Sequence, residues 1–230
     1  VLNFKMIVTG MLIGAVIGGF AAQKVEMTQM PQLVAIFNGF GGGASALVAS
    51  AEFYVQYSNN PTTFMLVTII LSVLIGTLTL TGSFIAFGKL QGFVTTKPVT
   101  FPGQQILNAL LVSLIIIAAF MLPNYGINAF YAIIGLSALL GILLVIPIGG
   151  ADMPVVISLL NAYSGIAAAL TGFVLVQTNP SAGNALIICG SLVGASGMIL
   201  TRIMCKGMNR SLINVIFGAV GSEVKSSSSE

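Results

Sequence analysis

Charge is nearly absent from this chain, and its distribution decides what the chain can fold into. Four stretches carry no Asp, Glu, Lys or Arg: 27–51, 53–88, 98–151 and 153–201. A helix crossing the hydrocarbon of a bilayer needs about 20 apolar residues, so the longer stretches each hold two crossings. Of the 230 residues, 57% are hydrophobic and 6% charged, and mean hydropathy is +1.06, which excludes a soluble domain. The net charge of +3 comes from eight scattered basic residues. Nucleic-acid binding would want them clustered on one face, so they read as loop anchors.

The chain divides into spans at about 5–22, 31–55, 64–87, 106–122, 127–148, 154–176 and 184–203. The fold class is an all-α membrane protein, a polytopic bundle of about seven transmembrane helices. Span one carries Gly10, Gly14 and Gly18, a small-residue face suited to close helix contact, and Gln23 to Gln29 make a polar elbow. In span two, Gly39, Gly41, Gly42 and Gly43 surround Asn38. They follow no strand, so they let another backbone approach rather than bind a nucleotide. The hydroxyls of span three (Thr68, Ser72, Thr77, Thr79, Thr81, Ser83) can bond the preceding turn. Gly88 to Gly92 open the longest loop, and Pro123-Asn124-Tyr125-Gly126 turns span four into span five. Gly190, Gly194 and Gly197 give span seven its packing face. Cys189 and Cys205 stand about 24 Å apart on that span, too far for a disulfide.

Alternating spans send Lys24, Lys89, Lys97, Arg202, Lys206 and Arg210 to one side and Lys5 and Glu52 to the other. The positive-inside rule places the basic side in the cytoplasm or its equivalent. Residues 206–230 read as an interfacial segment, with Ser226 to Ser229 a flexible start of something else. No initiator Met is present, so the sequence reads as a piece of a longer chain.

Between Lys97 and Arg202 the only charged residue is Asp152, at the mouth of span six and just before Met153-Pro154. A carboxylate there can cap the helix, or it can be functional, since polar groups in lipid are costly. Asn161, inside the same span, is either a packing hydrogen bond or part of a polar path. Met30-Pro31 leads to Asn38, Phe40 and Gly42 as Met153-Pro154 leads to Asn161, Tyr163 and Gly165. The shared register, from Pro31 to Pro154, is an offset of 123 residues with four spans between, which makes the internal repeat a parallel one. Both amides then lie about 10 Å in from the basic ends of their helices.

The chain has no His, and its acids Glu26, Glu52, Asp152, Glu223 and Glu230 avoid the centres of spans. No metal-ligand cluster, catalytic triad or phosphate loop is present. Residue patterns alone therefore reach a polytopic bundle with a polar path, which leaves open a secondary transporter or channel unrelated to nucleotides and a structural anchor for soluble domains.

The runs Met30–Ala35, Gly88–Gly92, Gly149–Val156, Leu160–Gly165, Gly190–Leu200 and Ile203–Ser211 carry a resemblance. They resemble the membrane domain of the β subunit of proton-translocating NAD(P) transhydrogenase. The most specific are Gly-Gly-Ala-Asp-Met-Pro-Val-Val and Met-Cys-Lys-x-Met-Asn-Arg-Ser. The resemblance implies inward proton translocation coupled to hydride transfer from NADH to NADP. It implies that this segment binds no cofactor, while NAD and NADP sit in associated soluble domains. The implied partners are an α-side subunit with the NAD domain, an NADP-binding domain after Glu230, the lipid bilayer and a second copy in a homodimer. The implied location is a bacterial inner membrane or the mitochondrial inner membrane. Asn161 matches a polar residue of the proton path, and Asp152 and Arg210 match charged residues near the NADP domain. Asn38 departs from the pattern, because many members carry a titrating His there. The proton carrier should then come from a partner helix packed on spans two, six and seven, where Gly39, Gly43, Gly190 and Gly194 permit close approach.

Overall fold

The computed structural model describes residues 4–57 and 61–217, and they form helices joined by short turns. The seven long helices are α1 (Phe4–Lys24), α2 (Met30–Gln56), α3 (Thr63–Gln91), α4 (Gln104–Tyr125), α5 (Ile127–Val145), α6 (Met153–Leu175) and α7 (Pro180–Gly207). A short α8 (Leu212–Phe217) follows. All seven are long and apolar enough to cross a membrane. The reading of Ser226 to Ser229, Glu223 and Glu230 lies outside the described residues.

Lipid offers the backbone no hydrogen-bond partner, so helix ends must be closed off locally. Thr62 and Asn179 cap α3 and α7 by accepting from the N–H groups of Met65 and Ala182. Gly92, at φ 80°, ends α3 in the left-handed conformation that favours glycine. At the far end of α4 the structure departs from the expected four-residue turn. Pro123 lies inside the last turn of α4, and Gly126 alone, at φ 56°, joins α4 to α5.

The core is built where backbones touch, which is how helices associate without a hydrophobic force between them. A Cβ on Gly42 would stand 2.8 Å from the Gly76 carbonyl, so α2 and α3 cross backbone to backbone. A Cβ on Gly165 would stand 2.5 Å from the Gly194 nitrogen, and one on Gly190 would stand 2.5 Å from the Ala169 nitrogen. Those positions join α6 to α7. Gly42 and Gly165 are equivalent under the offset of the repeat. α3 also packs against α5 and α6, and α2 against α6, so α3 and α6 are the most enclosed helices.

The backbone carries the repeat further than the side chains do. A 3-10 turn, Met27–Gln29, precedes α2, and another, Gly150–Asp152, precedes α6. Glu26 and Gly149 have φ/ψ of −72°/156° and −73°/156°; Gln29 and Asp152 have −97°/0° and −92°/−4°. Met30 and Met153 follow at −55°/−42° and −56°/−39°. The same turn thus launches both helices from the same side of the bundle.

The face expected on α1 finds no neighbour here. No residue of α1 is buried, and nothing lies within 4 Å of a Cβ placed on Gly10, Gly14 or Gly18. Gly165 and Gly135 separate the two kinds of glycine. Gly165→Val would drive the α6 and α7 backbones apart, and overpacking of this kind costs about 1–3 kcal/mol or more. Gly135, with open space around it, should accept Ala without loss. Thermal unfolding of the detergent-solubilised protein should show a lower midpoint for the first variant only.

Candidate functional site

The two amides singled out in the sequence lie close together but are used differently. Asn38 is buried, and its Nδ2 donates to the Ile157 carbonyl of α6 at 3.2 Å. Ile157 precedes Asn161 by one helical turn, about 6 Å. Asn161 is half-buried, and its side chain makes no hydrogen bond among the described residues. Beside it Ser164 donates to the Asn161 backbone carbonyl, and a Cβ placed on Gly41 of α2 would stand 4.0 Å from the Ser164 Cβ. Asn38 is therefore a packing hydrogen bond between α2 and α6, and Asn161 presents a free amide.

Further buried hydroxyls continue along the same seam. Ser72 Oγ of α3 lies 2.6 Å from Thr171 Oγ1 of α6, and Thr171 also donates to the carbonyls of Ser45 and Ala167. Ser83 of α3 has its Cβ 3.1 Å from the Cβ position of Gly39, and its buried hydroxyl has no partner among the described residues. Thr68, Thr79 and Thr81 bond their own helix, as expected from sequence. Ser72 and Ser83 do not. At the opposite end of the bundle Glu52 holds a buried carboxylate oxygen without a partner among the described residues.

The glycines expected to receive a partner helix are occupied by this chain itself. Gly39 and Gly43 lie against Ser83 and Leu80 of α3. Gly190, Gly194 and Gly197 lie against Ala169, Ile166 and Ala162 of α6. Close approach is achieved at all five, but within the chain. A further helix must approach elsewhere.

At the basic end, Arg210 Nη1 donates to Asp152 Oδ2 at 2.5 Å. Asp152 does not cap α6. A capping residue adopts extended backbone so that its side chain can turn back onto the first N–H groups; Asp152 sits at −92°/−4° and makes no cap hydrogen bond. Its second oxygen, Oδ1, is buried and unpartnered among the described residues. Arg210 is brought to it by the way α7 ends. Asn209 takes φ 51°, the Arg210 N–H donates to Cys205 O and the Asn209 N–H to Lys206 O. This paired closure is a Schellman motif with Asn in the place usually held by Gly.

A third group on this end was read from sequence as loop. Lys89 is fully buried in the last turn of α3. Its ammonium donates to the carbonyls of Ile146 (2.6 Å), Ile148 (2.8 Å) and Lys97 (3.3 Å). Gln104 of α4 donates to Leu143 O at 3.1 Å. Together they close the carbonyl end of α5, where a cation also meets the negative end of the helix dipole. Thr96 O accepts from Gly150 N at 2.9 Å, so the loop held by Lys89 also holds the turn that carries Asp152.

A family model described as NAD(P) transhydrogenase beta subunit matches residues 1–230. The chain belongs to that family. NAD(P) transhydrogenase subunit beta of Rhodospirillum rubrum is 48% identical over 232 residues, covering 96% of this chain and 48% of the relative. The protein of the same name from R. rubrum strain ATCC 11170 matches to the same extent. The chain thus spans about half the length of the curated relatives it matches.

In this beta-subunit chain, Lys89 is the site residue that sequence reasoning missed. The signal available was a lone Lys between Gly88 and Leu90, at the end of a charge-free run. Lys89→Met should destabilise the protein by about 3 kcal/mol or more, because each buried carbonyl left unpaired costs about 1–3 kcal/mol. Lys97→Met removes an exposed side chain and leaves the two backbone groups of that residue that are bonded, its N–H to Thr95 and its carbonyl to Lys89, and should change stability by less than about 0.5 kcal/mol. Denaturation of the two variants in detergent measures the difference.

Proposed function

We propose that this chain is the proton-conducting membrane part of a proton-translocating NAD(P) transhydrogenase, acting in step with hydride transfer from NADH to NADP in soluble domains. The observation that carries the reading is the family match over the whole chain. The family assignment leaves the transporter and anchor readings without support. NAD and NADP bind outside this segment, in an α-side subunit and in an NADP-binding domain that follows residue 230. The assembled enzyme is a homodimer in a bacterial or mitochondrial inner membrane, with the basic side facing the nucleotide domains.

The residues divide the work in a way that fits this reading. Asn161, with Ser164 beside it, can order water or receive a partner side chain. Asn38 is engaged with Ile157 O and sets the spacing of α2 and α6. Neither amide titrates, and the chain has no His, the side chain best matched to proton exchange near neutral pH. Pumping needs a site whose proton affinity changes with the state of the enzyme. A titratable group on a partner helix, reaching the open side of Asn161 past Gly41 and Ser164, supplies it. Asp152 and Arg210 sit at the junction, where the unpartnered Asp152 Oδ1 can take a donor from the NADP domain.

Two expected outcomes test this. Replacing every intramembrane His of the partner subunit should abolish the dependence of transhydrogenation on a proton gradient in proteoliposomes. Undiminished coupling would mean that the carrier is a water chain or an interfacial acid. Asp152→Asn should slow coupled transhydrogenation about 2- to 30-fold, the span of coupling energies of 0.5–2 kcal/mol. Because the Arg210 side of the pair is half exposed, the same variant should lose at most about 1 kcal/mol of stability. Normal coupled rates in Asp152→Asn would leave the pair a structural role only.

A further inference from the structure

We infer that the groove between the end of α7 and α8 binds the headgroup of an anionic phospholipid in the leaflet on the basic side. The groove has a volume of about 810 Å³. Arg202, Lys206 and Arg210 supply cations to it, and Met198, Leu212 and Ile213 give it apolar walls. Three of the eight basic residues of the chain converge there. Among the described residues no Asp or Glu lines it, and the only ion pair is Arg210 with Asp152. Arg202 and Lys206 are both exposed and lack an acidic partner. Arg210 uses one nitrogen on Asp152, and its side chain remains 52% exposed.

The occupant follows from depth as well as charge. The charge-free part of α7, 180–201, is about 33 Å long, close to the roughly 30 Å of hydrocarbon in a bilayer. Arg202 therefore enters at headgroup level, with Ile199 and Ile203 exposed to the acyl region beside it. Lys206 follows one turn further, on the same face of the helix. The Schellman closure at Asn209 then turns the chain, so that Leu212 and Ile213 of α8 form the opposite wall. A soluble anion would have no use for that wall. A phospholipid matches both halves: its phosphate spans Arg202 and Lys206, and its glycerol and upper acyl carbons lie on Met198 and Ile213. Basic pockets at the ends of membrane helices recognise anionic headgroups by this combination.

The test uses the assembled enzyme in nanodiscs of phosphatidylcholine with a minority of phosphatidylglycerol, and native mass spectrometry of the lipids it retains. The wild type should retain phosphatidylglycerol well above its share. Each interfacial Lys or Arg contributes about 1 kcal/mol of attraction, so the double variant Arg202→Gln/Lys206→Gln should lower that preference about 30-fold. Exchanging the two cations, Arg202→Lys/Lys206→Arg, should keep it. Lys24→Gln/Lys97→Gln removes two charges from the same face outside the groove and should leave retention unchanged. Equal loss in that control would reduce the effect to general surface potential and overturn the site. Displacement of the lipid by inorganic phosphate would overturn the choice of a lipid over a soluble anion. A wild type without preference would mean that the groove is filled by protein, such as an acidic segment of the chain beyond it.

Discussion

Hydrocarbon gives the backbone nothing to bond to, and each feature of this bundle answers that constraint. Helices satisfy their own interiors; their ends cannot, and the chain spends its few polar side chains there. Thr62 and Asn179 take N–H groups, while Lys89 and Gln104 take carbonyls at the end of α5. The same constraint removes the hydrophobic effect as a force between helices, so association rests on contact at short range. Glycine at 42, 76, 165, 190 and 197 makes that contact possible, and substituents there would collide with backbone.

Placing Lys89 at the end of α5 has a second effect. It gathers α3, the loop from Gly92 to Gly103 and the turn before α6 around one ammonium group. A disturbance of the Asp152 turn from outside the membrane is thereby linked through Thr96 and Lys97 to the end of α3, the helix whose Ser72 and Ser83 lie within the polar seam. The contacts form a continuous physical connection between the basic end of the bundle and its interior.

The spans were legible because charge-free length is set by the bilayer, and all seven emerge within a few residues of the expected bounds. The family was legible from the runs around Asp152 and Arg210. What sequence could not show was how equivalent residues divide. Asn38 and Asn161 share a register, yet only the first finds a carbonyl, because Asn38 is buried against Ile157 of α6 while Asn161 is only half-buried. The glycines of α2 and α7 signalled close packing but not with whom. Asp152 could be read as a cap or as a functional acid because identity was visible and backbone conformation was not. Lys89 looked like loop because the helix runs past Gly88, where a break was expected.

The paired turns before α2 and α6 carry a consequence of their own. Gln29 and Asp152 occupy the same conformation to within a few degrees, one with an amide and the other with a carboxylate. Forming the turn does not therefore require the negative charge. One copy shows what the scaffold needs, and the other what has been added to it. The molecule contains an internal reference for the turn before α6, in which the acid at 152 is separable from the shape that holds it.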